Sequence, residues 1–263
     1  MTKGITLFIF GAAVGITAWV VYGDRVTPVA TNEANTNISN TLVNAEAEKD
    51  DEPAVGGGAE EEEQEAAQND KELPPSVLLD VPFTSQAPHA DWSLPYKEAC
   101  EEAAMLMLHL ANKKVASISA DDADQAIKDL VAYEVKIFGF YEDTTAEQTV
   151  EFAEKFYDES YSVIENPTLE DMKKKLAAGK PIAAPMAGQL LGNPYYTAPG
   201  PVFHYLVIRG YDDTTSEFIT NDPGTRRGEL YRYSYDTILN AMHDWPGSEE
   251  KMTTGAKVII VSE

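Results

Sequence analysis

Cysteine occurs once in the 263 residues, at position 100, and histidine four times, at positions 89, 109, 204 and 243. A lone cysteine cannot close an internal disulfide, and so few scattered histidines do not make a Cys/His zinc site. Two readings of the thiol remain. One is a small buried hydrophobe, the usual fate of free cysteine. The other is a nucleophile. Cys100 begins the helix-forming run CEEAAMLMLHL, directly after the turn-rich stretch SQAPHADWSLPYKE. A helix N-terminus carries partial positive charge and unpaired N–H groups, both of which favour a thiolate. Glu101 and Glu102 act in the opposite sense, so a thiolate here needs a cationic partner.

His204 is the best candidate for that partner. It lies in the apolar run PVFHYLVIRGYDD, where a strand would hold an imidazole firmly enough to serve as a base. Taken by itself, it also reads as a hydrogen-bonded core histidine. His89 falls in a loop, His109 lies nine residues along the Cys100 helix, and His243 is near a helix end. A third group must fix the imidazole tautomer. Asp222, in FITNDPG, would reach His204 if two antiparallel strands are joined through YDDTTSE, although Asn-Asp-Pro-Gly is equally a good turn. Acyl transfer also needs oxyanion donors. Gln86 can offer a side-chain N–H, with the Cys100 backbone N–H as the second donor.

The elements that must position these residues follow from pattern. VLLDVPF reads as a strand. The Cys100 run reads as a helix over Ala99 to Leu110. Ser119-Ala-Asp-Asp and Thr145-Ala-Glu-Gln are capping boxes for two further helices, and Thr168 caps EDMKKKLAAG. Strand-like runs follow at 181–184, 202–211, 217–220, 229–233 and 257–261, with a last helix over 235–243. Helices first and strands later predict an α+β domain, with a helical half packed against an antiparallel sheet. The loop 186–201 is long and rich in Gly, Pro and Tyr. Such a loop often borders a site, and Tyr195 and Tyr196 either line a groove or cover a sheet edge. Arg226 and Arg227, beyond Asp222, either meet a carboxylate of a substrate or are simply solvated.

The region before this domain has a different composition. Gly4 to Gly23 carries no charge, and twenty helical residues span about 30 Å, a bilayer core. Lys3 before the run favours a cytoplasmic N-terminus, and Val20, Val21 and Tyr22 supply no small-residue cleavage site. The expectation is an uncleaved, single-pass transmembrane anchor over 1–25. Residues 26–75, with the run Glu60 to Glu63, read as a disordered acidic linker that spans about 40 Å. The folded domain is expected over 76–263. A net charge of −24 excludes an electrostatic footprint for nucleic acid.

Taken together, VPFTSQAPHADWSLPYKEACEEAAMLML, FHYLVIRGYDD and FITNDPG resemble the bacteriocin-processing-like peptidases, the double-glycine leader-peptidase type of papain-like cysteine peptidase. The order Gln, Cys, His, Asp is that family's order. The resemblance spans nearly all of 76–263. It implies a papain-like fold, with Cys100 as nucleophile, His204 as general base, Asp222 as the imidazole's orienting group and Gln86 in the oxyanion hole. Exporter-fused leader peptidases usually carry Gly after the Cys, where Glu101 stands here, and the chain has no Walker-type loop. The resemblance is therefore to a stand-alone, anchored member. It implies an extracytoplasmic thiol peptidase acting on peptides or proteins, cell-wall peptides among them, with no cofactor or metal. A cell-wall peptide amidase, a transglutaminase-like acyl transferase and an inactive peptide-binding domain are the alternatives. Oligomeric state is left open.

Overall fold

The computed structural model describes residues 19–22, 25–28 and 72–263. In the N-terminal unit, strands β1 (Trp19–Tyr22) and β2 (Arg25–Pro28) pair as an antiparallel ribbon. The rest of the expected anchor and nearly all of the expected linker lie outside the described residues. Among the described residues, no helix is long and apolar enough to cross a membrane.

The second unit is an α+β structure around one antiparallel, seven-stranded sheet. Six strands run in the order β4 (Tyr161–Glu165), β9 (Val258–Ser262), β5 (Ile182–Ala187), β6 (Phe203–Asp212), β7 (Glu217–Asn221) and β8 (Tyr231–Ser234). β3 (Ser76–Leu78) pairs with the far end of β6. The side-chain alternation of a strand gives the sheet two faces. Ala183, Tyr205, Val207 and Ile260 point to one cluster, which is roofed by α1 (Cys100–Asn112), α2 (Ala120–Phe138) and α3 (Ala146–Tyr157). Ile182, Ala184, Leu206, Ile208 and Val261 point to the other, with Met172 and Leu176 of α4 (Leu169–Ala177) and Ile238 of α5 (Tyr235–Ala241).

Two features differ from the sequence expectation. Helices cover both faces of the sheet, so β5 and β9 are buried throughout and β6 along all but its last residue, and their burial does not alternate. An additional strand, β4, stands between α3 and α4. It is short and half-buried at the sheet edge, so its periodicity is faint.

The three caps read from sequence are present. Ser119 Oγ accepts from the Asp122 N–H, Thr145 forms a capping box with Gln148, and Thr168 forms one with Asp171. α1 is the exception: Ala99 brings no side-chain cap to its first turn. Its N-terminal N–H groups therefore keep the charge character described above.

Arg209 sits at a bulge in the β6–β7 ladder, between Ile208 and Gly210. Its guanidinium donates twice to the Leu79 carbonyl and once to Asn221, and Asn221 Nδ2 donates to the Val81 and Pro82 carbonyls. These bonds fasten the segment that leads to Gln86 onto the sheet.

Candidate active site

The β6–β7 ladder ends at the pair Val207–Asn221. At the level of His204, β6 therefore has no ladder partner on that side, and the chain after Asn221 turns across the gap. The turn is tight. Asp222 N–H donates to the Gly228 carbonyl, and a Cβ on Gly228 would lie 1.8 Å from the Asp222 oxygen, so only glycine fits. A Cβ on Gly224 would meet His204 Cε1 at 2.8 Å, so the backbone can approach the imidazole only without a side chain.

This turn brings Asp222 onto His204: Nε2 lies 2.8 Å from Oδ1, and both side chains are buried. Oδ1 also accepts the Gly224 N–H at 3.0 Å. Oδ2 accepts from the Tyr196 and Tyr233 hydroxyls, each at 2.6 Å, and from Asn193 Nδ2 at 3.1 Å. Burial pushes the Asp222 carboxyl up, but the His204 charge and these hydrogen bonds outweigh it and hold it below the usual carboxylate range. With Nε2 turned to Asp222, Nδ1 is the imidazole nitrogen left for chemistry.

Cys100 is buried at the first position of α1, and α1 packs against β6. Its thiol donates to Glu101 Oε2 at 3.0 Å. Burial, and then the Glu101 charge, push the thiol well above its ordinary pKa. Glu101 Oε1 accepts the Thr144 N–H at 3.1 Å, and burial raises the Glu101 carboxyl to about 8. Next to it, Glu102 of α1 and Glu134 of α2 are also buried, and their four carboxyl oxygens have no hydrogen-bond partner among the described residues. Burial and their neighbours' charge raise Glu102 well above the usual range and Glu134 to about 12.

Gln86 is also buried at the site. Its Nε2 donates to the Tyr96 and Lys97 carbonyls at 2.9 and 3.0 Å, while Oε1 has no partner among the described residues. Both amide protons are thus engaged with backbone in this state. Gln86, Cys100 and His204 line one cavity of about 1030 Å3, together with Tyr196, Phe203 and Trp245. A smaller hollow of about 170 Å3, beside His89 and Asp124, holds none of these three. The other histidines are accounted for elsewhere. His89 meets Asp121, His109 stacks on Tyr157 and meets Glu159, and His243 bonds the Gly255 carbonyl.

Residues 78–254 match the Peptidase_C39 like family. The chain belongs to that family. It is a cysteine peptidase by membership, and the C39-like region contains the cavity with the lone cysteine of the chain. Two solved structures are similar. One is described as a C39-like peptidase from Bacillus anthracis, at 15% identity and a TM-score of 0.47, over 72% of this chain and 98% of that one. The other is Xylellain, a cysteine protease from Xylella fastidiosa, at 16% identity and a TM-score of 0.30, over 73% of this chain and 87% of that one. No curated protein sequence matches the chain.

Several residues of the candidate site carried no sequence signal. Tyr233 lies in a short strand and Asn193 in the long loop, and both look like ordinary surface choices until the fold brings them to Asp222. Glu134 sits in a helix with many exposed acids and is distinguished only by the face it presents.

Proposed function

We propose that this C39-like peptidase hydrolyses peptide bonds with Cys100 as nucleophile, His204 as base and acid, and Asp222 as the imidazole's orienting group. The observation that carries the reading is the buried His204–Asp222 bond in the same cavity as Cys100. Asp222 accepts the Nε2 proton, which leaves Nδ1 as the basic nitrogen. His204 Nδ1 takes the thiol proton as Sγ attacks the carbonyl carbon. The uncapped first turn of α1 offers the Cys100 N–H to the oxyanion, and Gln86 joins it when Nε2 releases one of its backbone carbonyls. Collapse of the tetrahedral adduct sends the Nδ1 proton to the leaving amine. Water, deprotonated by His204, then cleaves the thioester.

The uncharged run Gly4–Gly23 supports anchoring of the N-terminus in the cytoplasmic membrane, with the peptidase domain outside and the acidic linker holding it away from the surface. A second reading has its own observation: the thiol is bonded to Glu101. In that reading the domain binds peptides without turnover.

Cleavage of a mixed peptide library by the full-length chain, read by mass spectrometry, tests the proposal. Cys100→Ala and His204→Ala should each lower turnover about a thousandfold or more. Equal cleavage by Cys100→Ala would remove the nucleophile from the mechanism. Binding without cleavage in the wild type would favour the second reading. Transfer to an added amine in place of water would make the enzyme an acyl transferase.

A further inference from the structure

The cavity holds two groups of charge that leave each other unneutralised. The chain has 44 acidic residues against 20 Lys and Arg, so an exposed arginine without a carboxylate partner is unusual in it. Arg232 follows the expected pattern, pairing with Asp212 and Glu217. Arg226 and Arg227 do not. They stand side by side and exposed on the cavity wall just beyond the Asp222 turn, and no acid among the described residues comes within ion-pair distance of either. Arg227 instead lies over the Tyr195 ring, 4.8 Å from its centre, which fixes the guanidinium in the wall.

Another part of the lining is acidic. Glu98 stands just before α1, Asp143 on the α2–α3 connection and Glu249 ahead of β9. Among the described residues that line the cavity, Lys97 is the cation nearest them in sequence, and it is paired with Glu98 at 2.8 Å. The excess is felt within the group: burial, and then repulsion from Glu98, Glu249 and Glu142, raise Asp143 to about 6. Like charges held together around a cavity with Trp92, Phe203 and Trp245 in its walls create a focused field that a cationic ligand would relieve.

We infer that the cavity selects peptides that carry opposite charges on the two sides of the reactive centre: a carboxylate against Arg226 and Arg227, and an ammonium or guanidinium against Glu98, Asp143 and Glu249. The inference rests on the proposed peptidase reading only in placing a scissile bond between the two charges. The carboxylate comes from an acidic side chain or from a free C-terminus, and the test separates the two.

Fluorescence anisotropy with the full-length Cys100→Ala chain measures binding without turnover. The probes are one labelled peptide in basic–acidic order, the same peptide in acidic–basic order, and a Gln/Asn version. Each is made with a free and with an amidated C-terminus. One charge order should bind about tenfold tighter than the neutral peptide, with most of the advantage lost at high salt. Amidation abolishes the advantage if the carboxylate is terminal and leaves it if the carboxylate is a side chain. The double substitution R226Q/R227Q should bring the charged-to-neutral ratio close to that of a peptide lacking its acid, and D143N/E249Q should do the same for the base. Arg232→Gln, which alters net charge away from the cavity, should leave the ratio unchanged. Equal binding of charged and neutral peptides, or a ratio that R226Q/R227Q does not move, overturns the inference. Wild-type turnover of the same peptides is read separately. A preserved charge preference with no hydrolysis keeps the inference and removes the peptidase reading. Hydrolysis of all peptides at one rate, with equal binding, does the reverse.

Discussion

Two buried acidic sites flank the cavity, and they solve the same problem in opposite ways. Asp222 is fully buried and accepts five hydrogen bonds, from His204, Gly224, Tyr196, Tyr233 and Asn193. It stays ionised and is held below its ordinary range. Glu102 and Glu134 are just as buried, but no donor among the described residues reaches their oxygens. They are driven to the neutral form. Burial has the same sign at both sites, so donors decide the outcome: a carboxylate with a donor for each lone pair keeps its charge, and one without them takes up a proton. The first arrangement holds the His204 imidazole in position. The second keeps negative charge from accumulating directly behind the Cys100 thiol.

The largest expected effect comes from breaking the satisfied site. Asp222→Ala leaves an imidazole, two phenols, the Asn193 amide and the Gly224 N–H without their acceptor. The expected cost is about 3–5 kcal/mol in urea unfolding, with loss of turnover. A cost below about 1 kcal/mol would mean that water replaces the carboxylate and that the network is not closed. Tyr233→Phe removes one donor to Asp222 and the hydroxyl that accepts from Asn193 Nδ2, while the carboxylate keeps Tyr196 and Asn193, so a smaller loss, about 1.5–2 kcal/mol, is expected in the same measurement.

The unsatisfied site predicts a pH dependence of the other sign. A carboxyl raised above its unfolded value contributes stability that is complete below about 4.5 and is lost as pH rises toward the folded value, about 8 for Glu101 and about 12 for Glu134. The depressed Asp222 contributes above about 3.8 and loses that contribution as pH falls. Stability should therefore peak in mildly acidic solution and decline through neutrality. Glu134→Gln should match the wild type near pH 4 and lose stability less steeply between pH 5 and 8. The difference should be up to about 1.4 kcal/mol per pH unit, since one fewer proton is linked to folding. Parallel stability curves for the two proteins would show that the Glu102–Glu134 pair ionises without consequence.

The two sites were also unequally legible in the sequence. Cys100, His204, Asp222 and Gln86 stand in runs whose apolar period or turn chemistry assigns each to a helix start, a strand or a turn. The β6–β7 pairing, which carries the chain back to the turn at Asp222, follows from the short turn between two apolar runs. The caps at Ser119, Thr145 and Thr168 were legible for the same reason, since each is a local interaction. The second helical layer was not, because a strand covered on both faces loses the alternation that reports on its surroundings. Nor was the Glu102–Glu134 pair. It joins positions 32 apart on two helices whose mutual rotation is set by packing, and glutamate on a helix normally faces water. The hydrogen bonds of Gln86 to Tyr96 and Lys97 depend on loop backbone that no residue pattern specifies.

The smallest change tests the link between the two sites, because Glu101 belongs to the acidic cluster and touches the Cys100 thiol. In the resting state the thiol proton points at Glu101 Oε2, not at the imidazole. If that bond holds Cys100 in its protonated form, Glu101→Gln replaces the acceptor 3.0 Å from sulfur, a carboxyl that ionises only around pH 8, with an amide of nearly the same shape that never ionises. Alkylation of the single cysteine should then begin at lower pH and run several-fold faster at pH 8. The His204→Ala background separates two causes. A gain that persists without the imidazole is the loss of Glu101's charge acting on the thiol. A gain that disappears means that Glu101 competes with His204 for the thiol proton, and the acidic site then governs when the catalytic pair forms. Unchanged alkylation in Glu101→Gln would show that burial alone keeps the thiol neutral, and the two sites would be neighbours without being coupled.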